Sequence, residues 1–117
     1  NRFVRDGASF LIYVVNDGWY ETAPEPQQHG KQAIFRAIET RRPVVRSANT
    51  GISMVIDQFG NIQRSLELNK RGVIENVTIF PSEEITFYVR YGHYLLYIMM
   101  IILLYAFIRS KIDEKKI

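Results

Sequence analysis

The stretch Tyr94–Ile108 (YLLYIMMIILLYAFI) contains 15 consecutive residues without a charge, and it decides how the rest of the chain is organised. As a helix it measures about 22 Å, against a hydrocarbon core of about 30 Å. Arg90 and Arg109 flank it and can snorkel towards lipid headgroups, which lets residues 91–108 count as the span. Tyrosines cluster at one end and Tyr105 lies near the other, as at the two surfaces of a bilayer. The pattern predicts a transmembrane helix, and a buried or interfacial helix is the alternative.

A basic tail, residues 109–117, follows the apolar stretch. Basic residues next to a span stay on the cytoplasmic side, which predicts a cytoplasmic tail and puts residues 1–90 on the periplasmic side. The same cations also suit the carboxyl end of a helix dipole. The chain is therefore predicted to have three parts: residues 1–90, the span 91–108 and the tail. The charges of the tail are Arg109, Lys111, Lys115 and Lys116 against Asp113 and Glu114.

Composition excludes several classes of function. The chain has 117 residues, a net charge of +3 and no cysteine. Outside the tail, 11 basic and 10 acidic residues are scattered rather than striped, which argues against nucleic-acid binding. Without cysteine there is neither a thiolate metal site nor a cysteine nucleophile in these residues, and His29 and His93 lack ligand partners at metal-site spacing. We therefore expect no metal, and no glycine-rich phosphate loop indicates a cofactor.

The beginning of the chain suggests that it belongs to something longer. It does not start with Met, and Asn1–Arg5 (NRFVR) leads through Asp6-Gly7 towards a strand, like the end of a helix. We expect the chain to be the C-terminal piece of a larger protein.

Phe10–Val15 (FLIYVV) is a continuous run of strand-forming residues. Continuous hydrophobicity predicts a strand that is covered on both faces. The run stops at the turn signal Asn16-Asp17-Gly18. A helix is then predicted from Pro26 to about Arg42, since proline suits the first helical position and Pro43 ends the pattern. Its core face is Ala33, Ile34, Ala37 and Ile38.

Short strands are predicted after this helix, at residues 43–47, 52–57, 62–68 and 73–80. Asp57–Asn61 (DQFGN) has the composition of a hairpin turn, with Gly60 free to take a positive φ. The order of strand, helix, strand meander and apolar helix predicts an α/β fold, with layers completed by elements upstream of this chain.

Polar residues cluster where the first strand ends. Asn16, Asp17 and Trp19 follow that strand, and the carboxyl edge of an open α/β sheet is where ligands bind. The alternative is an Asx turn with an aromatic plug. Arg46 and the loop of residues 47–51, which includes Asn49 and Gly51, would form a pocket floor nearby. The alternative for that loop is an ordinary connection with a left-handed Gly51.

Two features of the predicted helix leave alternatives open. Arg36 and Glu39 are either a surface pair three residues apart or a buried ion pair that ties the helix to another layer. His29, in the first turn, is more typical of a capping or surface residue than of a base or metal ligand.

Taken together, these segments resemble the C-terminal half of the apolipoprotein N-acyltransferases, a membrane-embedded branch of the nitrilase, or carbon–nitrogen hydrolase, superfamily. The resemblance is collinear from about residue 6 to residue 108. It rests on Asn16-Asp17-Gly18-Trp19, Gln28-His29, Arg36-Ala37-Ile38-Glu39, Arg42-Pro43, residues 46–53 (RSANTGIS), Asp57-Gln58-Phe59-Gly60 and residues 86–92 (TFYVRYG).

The resemblance implies part of an α-β-β-α sandwich outside the bacterial inner membrane, followed by one C-terminal transmembrane helix. It also implies a Cys-Glu-Lys triad whose cysteine takes an acyl chain from a phospholipid as a thioester. The cysteine then passes the acyl chain to the N-terminal amine of a diacylglyceryl-cysteine apolipoprotein. All three triad positions would lie upstream, the cysteine shortly before Phe10, so this piece alone should be inactive. A monomer without nucleic-acid partners is expected.

Supporting residues can be carried over from the resemblance by position. Asn16, Asp17 and Trp19 look like the loop beside the nucleophile, and Arg46, Asn49 and Gly51 look like further support for the site. Arg36 and Glu39 look like scaffold near it. Two other functions stay open: a membrane-anchored nitrilase-like amidase with the same triad, and a single-span interaction module without catalysis. Upstream sequence would separate these functions.

Overall fold

The computed structural model describes residues 1–20 and 24–114, so Lys115 and Lys116 of the tail lie outside the described residues. Within these described residues, three helices and four strands follow one another. In order they are α1 (Arg2–Arg5), β1 (Leu11–Val15), α2 (Glu25–Thr40), β2 (Val44–Ala48), β3 (Ser53–Ile56), β4 (Ile62–Leu66) and α3 (Phe87–Glu114).

The sheet has the order β1-β2-β3-β4. β1 and β2 are parallel, and α2 connects them, while β3 and β4 are added as antiparallel neighbours. The turn between β3 and β4 is the predicted one. Gly60 has a φ of 91°, and Oδ1 of Asp57 accepts hydrogen bonds from the backbone N–H groups of Phe59 (2.9 Å) and Asn61 (2.8 Å).

Helix α2 begins and ends close to the predicted residues. Pro24 is the N-cap and Pro26 lies in the first turn, where a missing N–H costs nothing. The helix ends at Arg41, which adopts a left-handed conformation with φ 50° just before Pro43. Of the predicted core face, Ala33 and Ala37 are buried and Ile34 packs beside them, whereas Ile38 stays partly exposed.

The core lies between α2 and one face of the sheet. Ala33 and Ala37 pack there against Val44, Met54 and Ile56 of the strands. The other face of β1 is not covered by the described residues.

The prediction that β1 is covered on both faces is therefore not met within the described residues. Ile12 is 60% exposed and Val14 is 83% exposed. The apolar side chains of β1 that face α2 are packed against the core. Those on the opposite face have no layer against them in the described residues.

The fourth predicted strand, residues 73–80, is wrong. This segment joins no ladder, and Asn76 within it has a positive φ of 56°, which interrupts an extended strand. The segment is rich in strand-forming residues, but the hydrogen-bonded sheet ends at β4.

Within the described residues, one helix is long and apolar enough to cross a membrane. It covers Phe87–Asp113 with a mean hydropathy of 1.9 in its most apolar window, and none of that window is buried. The full helix α3 is about 42 Å long, which exceeds a hydrocarbon core of about 30 Å. The predicted span 91–108 lies inside it.

A buried arginine fastens the beginning of α3 to the sheet. Arg42 is 1% exposed, and its guanidinium donates to the backbone carbonyls of Ala8 (2.6 Å) and Glu84 (2.6 Å). Thr86 adds a hydrogen bond from its hydroxyl to the carbonyl of Glu39, and Val89 is buried at the same junction. Burial lowers the pKa of Arg42, while the nearby charges of Glu83 and Glu84 oppose that effect. These contacts hold the beginning of α3 against the rest of the domain.

Candidate functional site

The carboxylate of Asp17 is the centre of a buried polar cluster at the carboxyl edge of β1 and β2. The residue is 1% exposed. Its Oδ2 accepts a hydrogen bond from the Arg46 guanidinium at 2.6 Å, and its Oδ1 lies 2.7 Å from Nδ1 of His29. Arg46 also donates to the backbone carbonyl of Ile52. The turn after β1, strand β2 and helix α2 thus each contribute one charged or polar side chain to the cluster.

The electrostatics of this cluster favour the ionised carboxylate. Burial by itself raises the pKa of Asp17, but the hydrogen bonds and charges of Arg46 and His29 outweigh it and hold that pKa below its usual value. A buried ion pair of this kind depends on both partners, because removing one leaves an uncompensated charge.

Two amides connect the turn after β1 to the loop after β2. Asn49 accepts a hydrogen bond from the backbone N–H of Asp17 (2.9 Å) and donates its own Nδ2–H to Oδ1 of Asn16 (2.7 Å). The same Asn16 oxygen accepts from the backbone N–H of Gly18 at 3.0 Å. The predicted proximity of the two loops is confirmed, and the Asx turn is present as well.

Gly51 is needed for a different reason from the left-handed conformation considered above. It is not among the described residues with positive φ. A Cβ at this position would lie 1.7 Å from Oδ2 of Asp17. Only a residue without a side chain lets the carboxylate approach the loop so closely.

Trp19 projects away from this cluster. It is 82% exposed, so it does not plug the turn within the described residues. Its exposure leaves an indole at the carboxyl edge of the sheet, free to contact another molecule or another part of the protein.

Arg36 and Glu39 form the ion pair that their spacing allows, with Nη2 and Oε2 2.5 Å apart. Their side chains are 42% and 25% exposed, so the pair is part-buried rather than fully buried. Both line a groove of about 540 Å³ along α2 and β1, together with Tyr13, His29 and Arg46. The groove thus reaches His29 and Arg46, the two partners of the buried Asp17 carboxylate.

His29 belongs to the polar cluster, whereas the sequence predicted a capping or surface residue. The ionised Asp17 carboxylate can only accept hydrogen bonds, so Nδ1 of His29 carries the proton and donates to it. Tyr20 packs edge-on against the imidazole, with ring centroids 5.6 Å apart. The signal available in sequence was its place beside Gln28 in the resemblance, because nothing in helical spacing connects residue 29 to residue 17.

Residues suited to hold a metal do not cluster in the described parts of the chain, since no group of three or more His, Asp or Glu side chains converges there. The cluster lacks a nucleophile of its own. Its hydrogen bonds fix the geometry of two loops at a sheet edge.

Comparison with known proteins agrees with this arrangement. The family model for carbon–nitrogen hydrolases matches residues 2–79. An apolipoprotein N-acyltransferase from Thermotoga maritima is 40% identical over 100 residues, which cover 86% of this chain and 20% of that protein.

Proteins of the same name from Brucella melitensis and Allorhizobium ampelinum are 43% and 47% identical over 77 and 76 residues. These regions cover 66% and 65% of this chain and 14% of each relative. The chain thus spans a fifth or less of the length of these relatives. The match over residues 2–79, together with the sheet and its connecting helix, shows that the chain belongs to the carbon–nitrogen hydrolase family.

Proposed function

We propose that this chain is the C-terminal portion of an apolipoprotein N-acyltransferase of the bacterial inner membrane. In the intact enzyme, an upstream cysteine thiolate attacks the ester carbonyl of a phospholipid, forms a thioester and releases a lysophospholipid. The N-terminal amine of a diacylglyceryl-cysteine apolipoprotein then attacks the thioester, which forms an amide and restores the thiol. An upstream glutamate acts as the base and an upstream lysine supports the oxyanion.

The observation that carries this proposal is that the domain built on the family's sheet runs directly into a long, exposed apolar helix, whose beginning is tied to the domain by hydrogen bonds of Arg42 and Thr86. A carbon–nitrogen hydrolase acting on a soluble amide has no need for a helix of this length and hydropathy. An enzyme that draws its acyl donor from a bilayer needs its active centre held at the membrane. The similarity to apolipoprotein N-acyltransferases of other bacteria supports the same activity.

The residues of this chain would act as supports in the reaction. Asp17, fixed by Arg46 and His29, holds the turn that carries Trp19 beside the upstream nucleophile, and Asn49 ties that turn to the next loop. Arg36 and Glu39 support the adjoining groove. Residues 1–90 would face the periplasm and the basic tail the cytoplasm. The enzyme would work as a monomer, and this chain alone would be inactive.

The experiment is an acyl-transfer assay on the full-length protein in detergent–phospholipid micelles, with a synthetic diacylglyceryl-cysteine peptide as the acceptor. We expect a peptide that gains one amide-linked acyl chain and an equal amount of lysophospholipid. Replacing the upstream cysteine with alanine should abolish both products. Hydrolysis of a soluble amide without acyl transfer would favour the amidase, and the absence of any turnover would favour the interaction module.

A further inference from the structure

The turn between β3 and β4 carries a phenylalanine at its tip. Phe59 is 59% exposed in the described structure. The guanidinium carbon of Arg41 lies 5.2 Å from the centre of its ring. A cation over an aromatic face is a favourable arrangement, and it places an apolar ring and a positive charge side by side at the surface.

The turn holds this ring on a well-defined backbone. Oδ1 of Asp57 accepts hydrogen bonds from the backbone N–H groups of Phe59 (2.9 Å) and Asn61 (2.8 Å), and its Oδ2 accepts one from Nδ2 of Asn61 (2.8 Å). A Cβ at Gly60 would lie 2.7 Å from Cγ1 of Ile38, so the backbone of the turn rests directly on α2. The carboxylate is engaged within the turn, and the packed backbone keeps the ring from folding back into the core.

The turn lies at the edge of the sheet from which α3 leaves the domain. Ile56, the last residue of β3, pairs with Val44, the first residue of β2, so the turn follows at the amino edge of β2. Arg42 lies at the same edge and donates to the carbonyl of Glu84, just before α3. Arg41, which contacts the exposed ring, is the residue before Arg42. The tip and the beginning of α3 are thus fixed to the same end of α2.

The distance from this edge to the charge-free part of α3 is short. In the proposed topology, α3 enters the bilayer from this edge of the domain. The helix begins at Phe87 and the charge-free stretch begins at Tyr94, about 10 Å further along the axis. The headgroup layer on each side of a bilayer is about 5–8 Å thick. An apolar ring at the tip of a turn on this edge therefore lies close to the headgroups.

We propose that the tip of this turn is a second contact of the domain with the membrane. The ring of Phe59 inserts among the lipid headgroups, and Arg41 stays at headgroup level beside it. Aromatic and basic side chains together are what segments lying on a membrane surface use. The inference requires α3 to cross the bilayer, as under the proposed function, but it does not require acyl transfer.

A contact at this point would set the orientation of the sheet. The beginning of α3 is bonded to Ala8, just before β1, through Arg42, whereas the tip lies between β3 and β4. Two to three strand spacings separate these places, which is about 10–14 Å. A single attachment lets a domain tilt, and two attachments this far apart hold the amino edge of the sheet level with the membrane surface.

The test compares two phenylalanines of equal exposure. In the full-length protein, p-benzoylphenylalanine replaces either Phe59 or Phe35, which is 60% exposed but lies on α2 in the groove beside β1. Each protein is irradiated in vesicles of phosphatidylethanolamine and phosphatidylglycerol, and lipid adducts are quantified by mass spectrometry. Because burial of a phenyl ring in lipid is strongly favourable, we expect a lipid-adduct yield at position 59 at least about tenfold that at position 35. Equal yields, or adducts of position 59 with protein alone, would overturn the proposal.

A second measurement does not depend on the benzophenone group. Phe59→Trp and Phe35→Trp are placed in vesicles whose acyl chains carry bromine, and the emission gained over the wild type is recorded. Bromine near the ester end of the chains should quench the tryptophan at position 59 more strongly than bromine near the methyl end. Quenching that is absent at position 59, or the same at both positions, would exclude a lipid contact of the turn.

Acyl transfer measured on the same samples keeps this inference apart from the proposed function. Lipid adducts specific to position 59, without acyl transfer in any sample, would reject the acyltransferase and leave the membrane contact standing. Acyl transfer without lipid adducts at position 59 would reject the contact and leave the enzyme standing.

Discussion

Replacing Gly51 with alanine tests the centre of the candidate site with a single methyl group. The added Cβ would lie 1.7 Å from Oδ2, 2.6 Å from Cγ and 2.9 Å from Cβ of Asp17. Because non-bonded carbon and oxygen atoms do not approach within 3.0 Å, the carboxylate or the loop must move by more than about 1 Å. A shift of that size breaks the hydrogen bonds of Asp17 to Arg46 and His29, which are 2.6 Å and 2.7 Å long.

The expected cost follows from that loss. Breaking a buried ion pair costs about 3–5 kcal/mol, and forcing a methyl group into a packed site costs about 1–3 kcal/mol. We take about 3 kcal/mol as the minimum loss in the free energy of unfolding. That corresponds to at least a hundredfold rise in the protease-susceptible population, since each 1.4 kcal/mol is a factor of ten.

Native-state proteolysis of the full-length protein measures this population, and Gly30→Ala is the matched control. Gly30 lies inside α2, and a Cβ there would meet the flexible end of Met54 at 3.3 Å and Ile52 at 4.0 Å, an ordinary contact. Alanine in a helix interior is favoured over glycine by about 1 kcal/mol, so Gly30→Ala should be neutral or stabilising. Equal proteolysis rates for Gly51→Ala and Gly30→Ala would refute the reasoning. In an Asp17→Ala background, Gly51→Ala should cost less than in the wild type, because the carboxylate is gone and only the Cβ of residue 17 remains, at 2.9 Å.

The remaining predictions concern single side chains. Trp19→Ala should reduce acyl transfer in the full-length protein, while the free energy of unfolding changes by no more than about 0.5 kcal/mol, as for other exposed residues. Unchanged turnover would show that Trp19 has no functional role. Arg42→Ala should lower the stability measured in a thermal melt by about 3 kcal/mol or more, because buried carbonyls lose their hydrogen-bond donor. Arg36→Ala should cost about 1 kcal/mol or less, because Arg36 is far more exposed. Similar losses for the two variants would contradict this reasoning. The lowered pKa of Asp17 stabilises the fold above its unfolded value of about 3.9 and ceases to do so as the pH falls through the folded pKa. The acid limb of a stability–pH curve should therefore be flatter in Asp17→Asn, and parallel curves for the two proteins would count against the ion pair.

Local patterns in the sequence were enough to predict most elements of the fold. The run at β1, the two prolines around α2 and the turn at Asp57–Asn61 each carry their own signal, because strand composition, proline geometry and turn chemistry act over a few residues. Residues 73–80 are rich in strand-forming residues, but a strand also needs a neighbour to pair with, and composition does not show whether one exists.

The candidate site was only half visible in the sequence, for a similar reason. Asn16, Asp17, Arg46 and Asn49 could be grouped because parallel strands bring their carboxyl ends together. His29 could not, because its link to Asp17 depends on how the first turn of α2 leans over the sheet edge. Gly51 was recognised as unusual but for the wrong cause, since the carboxylate that fills its Cβ position comes from a residue 34 positions earlier.

The junction at Arg42 determines how the apolar helix α3 and the candidate site are positioned relative to each other. Arg42 donates to Ala8 before β1 and to Glu84 before α3, so one guanidinium joins the amino end of the sheet to the entry of the apolar helix. Ser82 adds a backbone hydrogen bond to Ser9 at 3.0 Å. A joint made of buried, backbone-directed hydrogen bonds resists bending far more than an exposed linker does, because opening it leaves donors and acceptors unsatisfied. The sheet edge that carries Asp17 and Trp19 is therefore held at a fixed position relative to α3. The proposed acyltransferase requires this, because its acyl donor stays in the bilayer and its active site must lie at a constant distance from the membrane surface.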